Sequence, residues 1–209
     1  MFPDYSIYPQ YDFAVAMTSR GCPRGCSFCH VAAKEGRCAV KVADVKDFWN
    51  GQKLIKVLDA NITAVKEADK RDLFRQYRET GARIDFTQGL DIRLLNDADI
   101  EDLNAMKLKN IHFAWDNHKD DLTDKFAEYA KKTKHKISGG YGIVYCLTGH
   151  GSTEEEDLHR IYTLIGLKFD PYVMIYNKPN CEPRLKKLQR WCNSVKIRKS
   201  CPNFEDYKG

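Results

Sequence analysis

Short runs of β-forming residues recur along this chain at a spacing that occurs in only a few protein architectures. Successive runs begin about 30 residues apart, except for the first gap, which is nearer 40, and helical patterns occupy the stretches between them. Strands that alternate with helices at this period predict βαβ units and a parallel sheet. The six predicted strands are residues 13–17, 54–58, 83–87, 111–115, 141–147 and 172–176.

The predicted helices between these strands have recognisable ends. An amphipathic, charge-rich pattern covers residues 62–80 and stops at Gly81. Asn96 is a typical N-cap, and the turn that follows it is rich in acidic residues, as the helix dipole favours. Ser152-Thr-Glu-Glu155 predicts a capping box that opens a helix ending near Gly166.

These units predict an α/β fold, a partial (β/α)6 TIM-type barrel of parallel strands. Right-handed crossovers curl βαβ units toward a barrel, and six units are too few to close an eight-stranded one. A chain of 209 residues is long enough to bury a sizeable core as one domain. We expect residues 1–178 to form the barrel and residues 179–209 to form a basic C-terminal extension packed on it. Pro179 and Pro183 mark the turn between them.

Three cysteines lie within eight residues directly after the first predicted strand. Their spacing is C-x3-C-x2-C, in Cys22-Pro-Arg-Gly-Cys26-Ser-Phe-Cys29. Three thiolates on one tight loop can hold three corners of an iron–sulfur cube, which leaves the fourth iron without a protein ligand and open to chemistry. Gly21 and Gly25 allow the backbone to turn sharply around a bulky inorganic core.

A structural zinc site is the alternative for this loop. Cys22, Cys26, Cys29 and His30 would supply a tetrahedral Cys3His shell. Structural zinc sites usually bring their ligands as two separated pairs, and no second such pair appears in the sequence. An auxiliary cluster on Cys181, Cys192 and Cys201 is a further possibility, although their spacing is not diagnostic.

The cysteine loop resembles that of the radical S-adenosylmethionine (radical SAM) enzymes. In that family three cysteines of this spacing bind a [4Fe–4S] cluster, and the amino and carboxylate groups of SAM chelate the fourth iron. Phe28, just before the third cysteine, also fits the family pattern, in which this aromatic residue lies near the adenine. The partial barrel predicted above agrees with the resemblance, because radical SAM cores commonly have this fold.

The resemblance extends over nearly the whole chain. Along most of its length the chain is similar to a group of radical SAM proteins of bacteria and their phages that has no assigned reaction. Longer members of that group carry an additional N-terminal segment, so the resemblance implies that this chain lacks it, which argues against cobalamin-dependent methyl transfer. The segments that carry the likeness are residues 36–44, 85–93, 111–116, 170–177, 188–193 and 204–207.

Polar residues follow nearly every predicted strand, at the barrel end where α/β enzymes do their chemistry. Asp59 takes the place where the family usually has a glutamate for the SAM amino group, and Asn61 follows it. Arg93 is the candidate for the SAM carboxylate, because a guanidinium pairs with it bidentately; a salt bridge to Asp91 or Asp97 is the alternative. The resemblance implies cofactor-binding roles for Phe28, Asp59, Asn61, Gln88, Asp91, Arg93 and Asp116.

The resemblance implies an enzyme in which the cluster reductively cleaves SAM to a 5′-deoxyadenosyl radical that abstracts hydrogen from a substrate. His150, between two glycines after the fifth predicted strand, is a candidate acid or base, although a lone loop histidine is more often only exposed. The implied partners are a reductase or flavodoxin-type electron donor and a substrate, which is a tRNA, a peptide or a small molecule.

Charge and composition supply a competing function. The segment from Cys181 to Gly209 holds eight Lys and Arg residues against three acids, which accounts for the whole net charge of +5. The alternative is therefore a non-catalytic iron–sulfur or zinc module that binds nucleic acid through this basic tail. A solvated helix face is the simpler explanation of the tail.

The sequence also bears on where the chain resides. No apolar run approaches 18 residues, and the N-terminus has no signal-peptide pattern. We therefore expect a cytoplasmic protein without a membrane partner. Eight cysteines in such a compartment indicate metal binding or catalysis rather than disulfides.

Overall fold

A computed structural model describes residues 2–209 of the chain. Within this range the backbone forms eight strands and seven α-helices, joined by loops and short 3-10 helices. The strands are β1 (Ala14–Ala16), β2 (Ser19–Arg20), β3 (Val40–Lys41), β4 (Leu54–Val57), β5 (Arg83–Phe86), β6 (Lys107–Ala114), β7 (Gly142–Thr148) and β8 (Asp170–Ile175). The helices are α1 (Val31–Glu35), α2 (Glu67–Glu79), α3 (Asp97–Ala105), α4 (Thr123–Lys132), α5 (Glu154–Gly166), α6 (Pro183–Asn193) and α7 (Val195–Ser200).

The predicted α/β class and the parallel sheet are confirmed. Six strands of the described chain form one sheet in the order β1-β4-β5-β6-β7-β8. The strands pair in parallel, for example with Ala14 beside Ile55 and Ile55 beside Ile84. The order is linear over residues 2–209, so the sheet is not closed.

A second, smaller sheet was not predicted. β2 and β3 pair antiparallel, with Ser19 opposite Lys41 and Arg20 opposite Val40. This two-residue pairing brackets the cysteine loop and α1, and it brings the chain back beside the end of β1. Strands this short have no periodic pattern, so the sequence offered no sign of them.

Two predicted helix starts are shifted. Residues 62–64 form a 3-10 turn, and α2 begins only at Glu67. The capping box of α5 lies one residue later than predicted. Thr153 rather than Ser152 is the N-cap, and its hydroxyl accepts the Glu156 N–H while the Glu156 carboxylate accepts the Thr153 N–H. Asn96 caps α3 as predicted, in a box with Asp99.

The chain divides into two compact units, and the division falls within β6. The first unit comprises residues 1–112 and 132–135. Its helix α2 buries Leu73, Phe74 and Tyr77, and both aromatic rings lie against Phe86 of β5. Each fully buried side chain of this size contributes on the order of 1.5–3 kcal/mol.

The second unit comprises residues 113–131 and 136–209. Trp115 and Phe113 pack on Phe126 of α4, and the Trp115 ring stacks on Phe126 with centroids 5.6 Å apart. The C-terminal segment belongs to this core, because Leu188, Trp191 and Cys192 of α6 and the later Phe204 are buried with Ile161 and Val173. The predicted boundary between residues 178 and 179 stays a prediction.

In the described part of the chain, no helix is both long and apolar enough to cross a membrane.

Candidate functional site

The backbone of the cysteine loop, residues 21–29, is held at several points. The Cys22 N–H donates to the Gly36 carbonyl at 3.1 Å, and the Cys29 N–H donates to the Cys26 carbonyl at 3.0 Å. Gly21 has φ +88°, and a Cβ there would lie 2.0 Å from the Cys38 carbonyl oxygen. Only glycine fits this conformation and this space.

A carboxylate from α1 fixes the start of the loop. The Glu35 side chain accepts the Gly21 N–H at 3.0 Å and pairs with Arg20 at 3.1 Å. The helix that follows the cysteines thus returns to hold the residues that precede them.

Asp59 lies in the connection after β4 and is buried, with 2 % of its surface exposed. Its two carboxylate oxygens accept three hydrogen bonds of 2.7–2.8 Å from the Thr18 N–H, the Thr18 hydroxyl and the Ser19 hydroxyl. Burial raises the pKa of this carboxyl, and the bonds from Thr18 and Ser19 oppose that rise. Asp59 therefore holds the connection between β1 and β2, immediately before the cysteines.

Asn61 is the predicted site residue that contacts a cysteine. Its side-chain Nδ2 lies 3.5 Å from the Cys22 Sγ, and its Oδ1 accepts the Thr63 hydroxyl at 2.7 Å. Asn61 and Thr63 are both buried. The end of β4 thus supplies an amide N–H directly to the first sulfur of the motif.

Asp91 joins the loop after β5 to the cysteine loop. Its backbone N–H donates to the Thr63 hydroxyl at 3.1 Å, and its carboxylate pairs with Arg24 at 2.6 Å and with Arg93 at 2.7 Å. Burial alone would raise the pKa of Asp91, but the bonds from Arg93 and Arg24 outweigh it and lower the pKa. Arg24 lies between Cys22 and Cys26, so this pair links the motif to the end of β5.

The structure therefore brings together polar residues from the ends of three neighbouring parallel strands. Cys22 follows β1 and the short β2, Asn61 follows β4 and Asp91 follows β5, and hydrogen bonds connect all three through Thr63 and Arg24. This is the edge of the sheet at which α/β proteins place their binding sites. Arg24 and Thr63 were not predicted, because an exposed loop arginine and a threonine have no distinctive spacing.

Two further predicted site residues, Phe28 and Gln88, lie in the first unit, and their cofactor-binding roles stay predictions. Phe28 is half-buried within the cysteine loop, and Gln88 is exposed in the turn after β5. The salt bridge weighed as the alternative for Arg93 is present, since its Nε donates to Asp91.

Asp116 belongs to the second unit and follows β6. Its Oδ1 accepts the Leu147 N–H at 3.0 Å, and its carbonyl oxygen accepts a bond from Arg160 at 3.2 Å. Arg160 is buried with Asp157, and it also donates to the carbonyls of Trp115 at 2.6 Å and Leu147 at 2.9 Å. Arg160 therefore ties the ends of β6 and β7 to α5.

His150 also lies in the second unit, in the glycine-flanked turn after β7. It is half-buried, and its ring centroid is 4.4 Å from that of Tyr176. The contact gives the imidazole a defined position beside the end of β8. The geometry of the second unit does not assign it a proton-transfer role.

The basic tail uses several of its cations in contacts within the second unit. Arg184 pairs with Glu154 and Glu205, Arg198 pairs with Asp170, and the Lys187 ammonium lies 5.7 Å from the centre of the Tyr207 ring. These contacts favour a packing role over a continuous polyanion surface.

The remaining cysteines do not resemble ligands of an auxiliary cluster. Cys192 is fully buried in the apolar core of the second unit, and burial raises the pKa of its thiol to about 12. Cys201 donates its S–H to the Asn203 carbonyl, and Cys181 lies half-buried before α6. All eight cysteines of the sequence lie in the described range, and none of them is in a disulfide.

The donor chemistry of the loop fits an iron–sulfur cluster. Three thiols, none of them in a disulfide, lie on one tight turn, and Asn61 supplies an N–H to the first of them. Among residues 2–209, no three His, Cys, Asp or Glu side chains are already grouped as a metal site, so at least one cysteine side chain of the loop must turn toward the others to bind one. His30, the fourth ligand of the zinc alternative, is exposed at the start of α1. It is not grouped with the three cysteines as a metal site either.

No protein-family model matches the sequence, and no curated protein matches it. The case for a function therefore rests on the residues and contacts described above.

Proposed function

We propose that this chain is a radical SAM enzyme whose cluster is held by Cys22, Cys26 and Cys29. The observation that carries the proposal is the placement of these thiols on one loop after β2, where Cys22 bonds to Asn61 at the end of β4 and Arg24 pairs with Asp91 after β5. When bound, a [4Fe–4S] cluster of this kind supplies one electron to SAM and so yields a 5′-deoxyadenosyl radical that abstracts hydrogen from a substrate.

The protein's own residues orient the site. Asp59 fixes the backbone just before the cysteines through three hydrogen bonds to its carboxylate, and its contact with the SAM amino group stays a prediction. Asp91 orients Arg24 within the loop and Arg93 beside it. We assign the Arg93 guanidinium to the SAM carboxylate, since it lies at the same strand end.

The proposal also includes a partial-barrel fold and a cellular compartment for the chain. The six-stranded parallel sheet is proposed to act as a partial (β/α)6 barrel, with SAM at the carboxyl ends of its strands. Eight cysteines outside any disulfide favour a reducing compartment, and we propose a cytoplasmic location with a reductase or flavodoxin-type electron donor. The proposed substrate is a tRNA, a peptide or a small molecule.

An anaerobic cleavage assay tests the proposal. The full chain is reconstituted with iron and sulfide, mixed with dithionite and SAM, and analysed for 5′-deoxyadenosine by mass spectrometry. Cys26→Ala is expected to abolish product and to lower bound iron. Cys38→Ala is the matched control, because Cys38 is an exposed free thiol outside the motif. It is expected to retain both product and iron.

The outcomes separate the alternatives. About four irons per chain, with 5′-deoxyadenosine from wild type and Cys38→Ala alone, supports the proposal. Tightly bound zinc without affinity for SAM would overturn it in favour of the structural-metal alternative. Equal iron content in wild type and Cys26→Ala would also overturn it, because the motif would then not hold the metal.

A further inference from the structure

The contact between Asn61 and Cys22 lies outside the ligand set of the proposed cluster. The Asn61 amide nitrogen is 3.5 Å from the Cys22 sulfur, within the usual reach of an N–H···S hydrogen bond. Asn61 is 4 % exposed, so little water competes for its N–H. A buried donor beside a ligand sulfur is one of the means by which proteins tune iron–sulfur clusters.

The orientation of the Asn61 amide is fixed by its other partner. The Thr63 hydroxyl has one hydrogen, which it donates to Asn61 Oδ1 at 2.7 Å, and its oxygen accepts the Asp91 N–H at 3.1 Å. This arrangement points the carbonyl of the amide toward Thr63 and its NH2 toward Cys22. A flipped amide would present its carbonyl oxygen to the Cys22 sulfur and lose the N–H···S bond, and its NH2 would bond to the Thr63 oxygen only if the hydroxyl hydrogen turned to another acceptor.

We propose that Asn61 is a positioning residue that raises the reduction potential of the cluster through its hydrogen bond to Cys22, with Thr63 holding the amide in the donating orientation. The inference rests on the proposed function. Reduction adds negative charge to the cluster and its sulfur ligands, and an N–H donor stabilises the reduced form more than the oxidised form. Loss of the donor therefore makes the potential more negative.

The test measures the potential directly. Wild type and variants are reconstituted anaerobically, and the fraction of reduced cluster is followed by electron paramagnetic resonance during a redox titration. Asn61→Leu removes the donor, and Asn61→Asp keeps the shape but replaces the donor with a negative charge. For each we expect about a tenfold lower ratio of reduced to oxidised cluster at a fixed potential, which corresponds to about 59 mV for one electron.

Two further variants separate tuning from a general effect on the fold. Thr63→Val keeps Asn61 but releases the amide, so its potential should fall by less than that of Asn61→Leu. Asn180→Asp introduces the same charge at an exposed asparagine of the second unit, and its potential should equal that of wild type. Thermal unfolding of each apoprotein identifies any variant that fails to fold, and Asn61→Asp and Thr63→Val, which change shape least, then carry the test.

The outcomes distinguish the inference from the proposed function. A wild type that takes up no four-iron cluster removes the proposed function itself. A wild-type cluster whose potential is unchanged in Asn61→Leu, Asn61→Asp and Thr63→Val overturns the inference alone. Variants that lose iron while the remaining cluster keeps the wild-type potential would show a purely structural Asn61 and would also overturn it.

Discussion

Arg160→Met is expected to destabilise the second compact unit by about 4 kcal/mol, because it removes one partner of a buried ion pair. Arg160 and Asp157 each have about 1 % of the side chain exposed. Without the guanidinium, the Asp157 carboxylate remains buried with no cation to balance it. Breaking such a pair from one side costs roughly 3–5 kcal/mol, far more than loss of an exposed salt bridge.

The backbone contacts of Arg160 add to this cost. The guanidinium donates to the carbonyls of Trp115 and Leu147 at 2.6 and 2.9 Å, at the ends of β6 and β7. A buried carbonyl that loses its donor costs about 1–3 kcal/mol. Methionine fills a comparable volume with an apolar chain, so cavity formation contributes little to the expected loss.

The pH dependence of the stability loss in Arg160→Met distinguishes the cost of the unpaired Asp157 charge from the cost of the unpaired carbonyls. Burial already raises the pKa of Asp157, while Arg160 holds it down. Removal of Arg160 raises this folded-state pKa further, and each unit costs about 1.4 kcal/mol at neutral pH. As the pH falls through the folded-state pKa toward the unfolded value near 3.9, the native carboxyl takes up a proton first and the penalty shrinks. The destabilisation by Arg160→Met should therefore be smaller at pH 5 than at pH 7.5.

Urea denaturation followed by tryptophan fluorescence measures these differences, because Trp115 lies beside Arg160. Asp157→Asn/Arg160→Met is the control that removes both charges. It should retain only the carbonyl cost of about 1–3 kcal/mol, and its unfolding free energy should lack the pH dependence contributed by residue 157. A loss below about 1 kcal/mol for Arg160→Met, or an equal loss at both pH values, would refute the account of a stranded buried charge.

Two further predictions concern the cysteine loop. Gly21→Ala should destabilise the chain by more than about 2 kcal/mol and lower its iron content after reconstitution, because the new Cβ would lie 2.0 Å from the Cys38 carbonyl oxygen at φ +88°. Gly36→Ala, at φ +94° with open space around it, should cost only the conformational strain of about 1 kcal/mol; equal effects in urea titrations would contradict the steric argument. Asp91→Asn should cost about 2 kcal/mol near pH 7, since it weakens charged bonds from two arginines. Because the folded-state pKa of Asp91 is lowered, its contribution is present above about pH 4 and is lost as the pH falls through that lowered value, so a difference in unfolding free energy that persists in strong acid would contradict the assignment.

Much of the fold follows from local sequence pattern. All six predicted parallel strands occur, because β-branched and aromatic runs between capped helices leave few other arrangements. β6 begins at Lys107, four residues before the prediction, since its first residues alternate charged and apolar side chains in a short run that is ambiguous in sequence. The pairing of β2 with β3 depends on contacts across the cysteine loop, which no local pattern encodes.

The sequence predicts which polar residues follow the strands, but it does not predict which groups those residues contact. The sequence placed polar residues after the strands, and it could not show whether a carboxylate faces a ligand or the chain itself. Asp59 uses both oxygens within the chain, and Arg93 pairs with Asp91. Arg160 was missed for a similar reason, because an arginine on an amphipathic helix has the same pattern whether it faces water or a buried acid.

The contacts of the cysteine loop indicate that its backbone is ordered by folding rather than by a cofactor. Glu35 holds Gly21, Asp59 holds the connection from β1, and Asp91 holds Arg24 within the motif. Fixing the backbone costs about 1–2 kcal/mol per residue, so ordering the stretch from residue 18 to residue 24 costs on the order of 10 kcal/mol. The three carboxylates and the sheet offset that cost in the folded protein. Binding of the proposed cluster then needs only side-chain torsions of the cysteines to be fixed, and changes at these three carboxylates should lower the affinity for that cluster even though none of them is a proposed ligand.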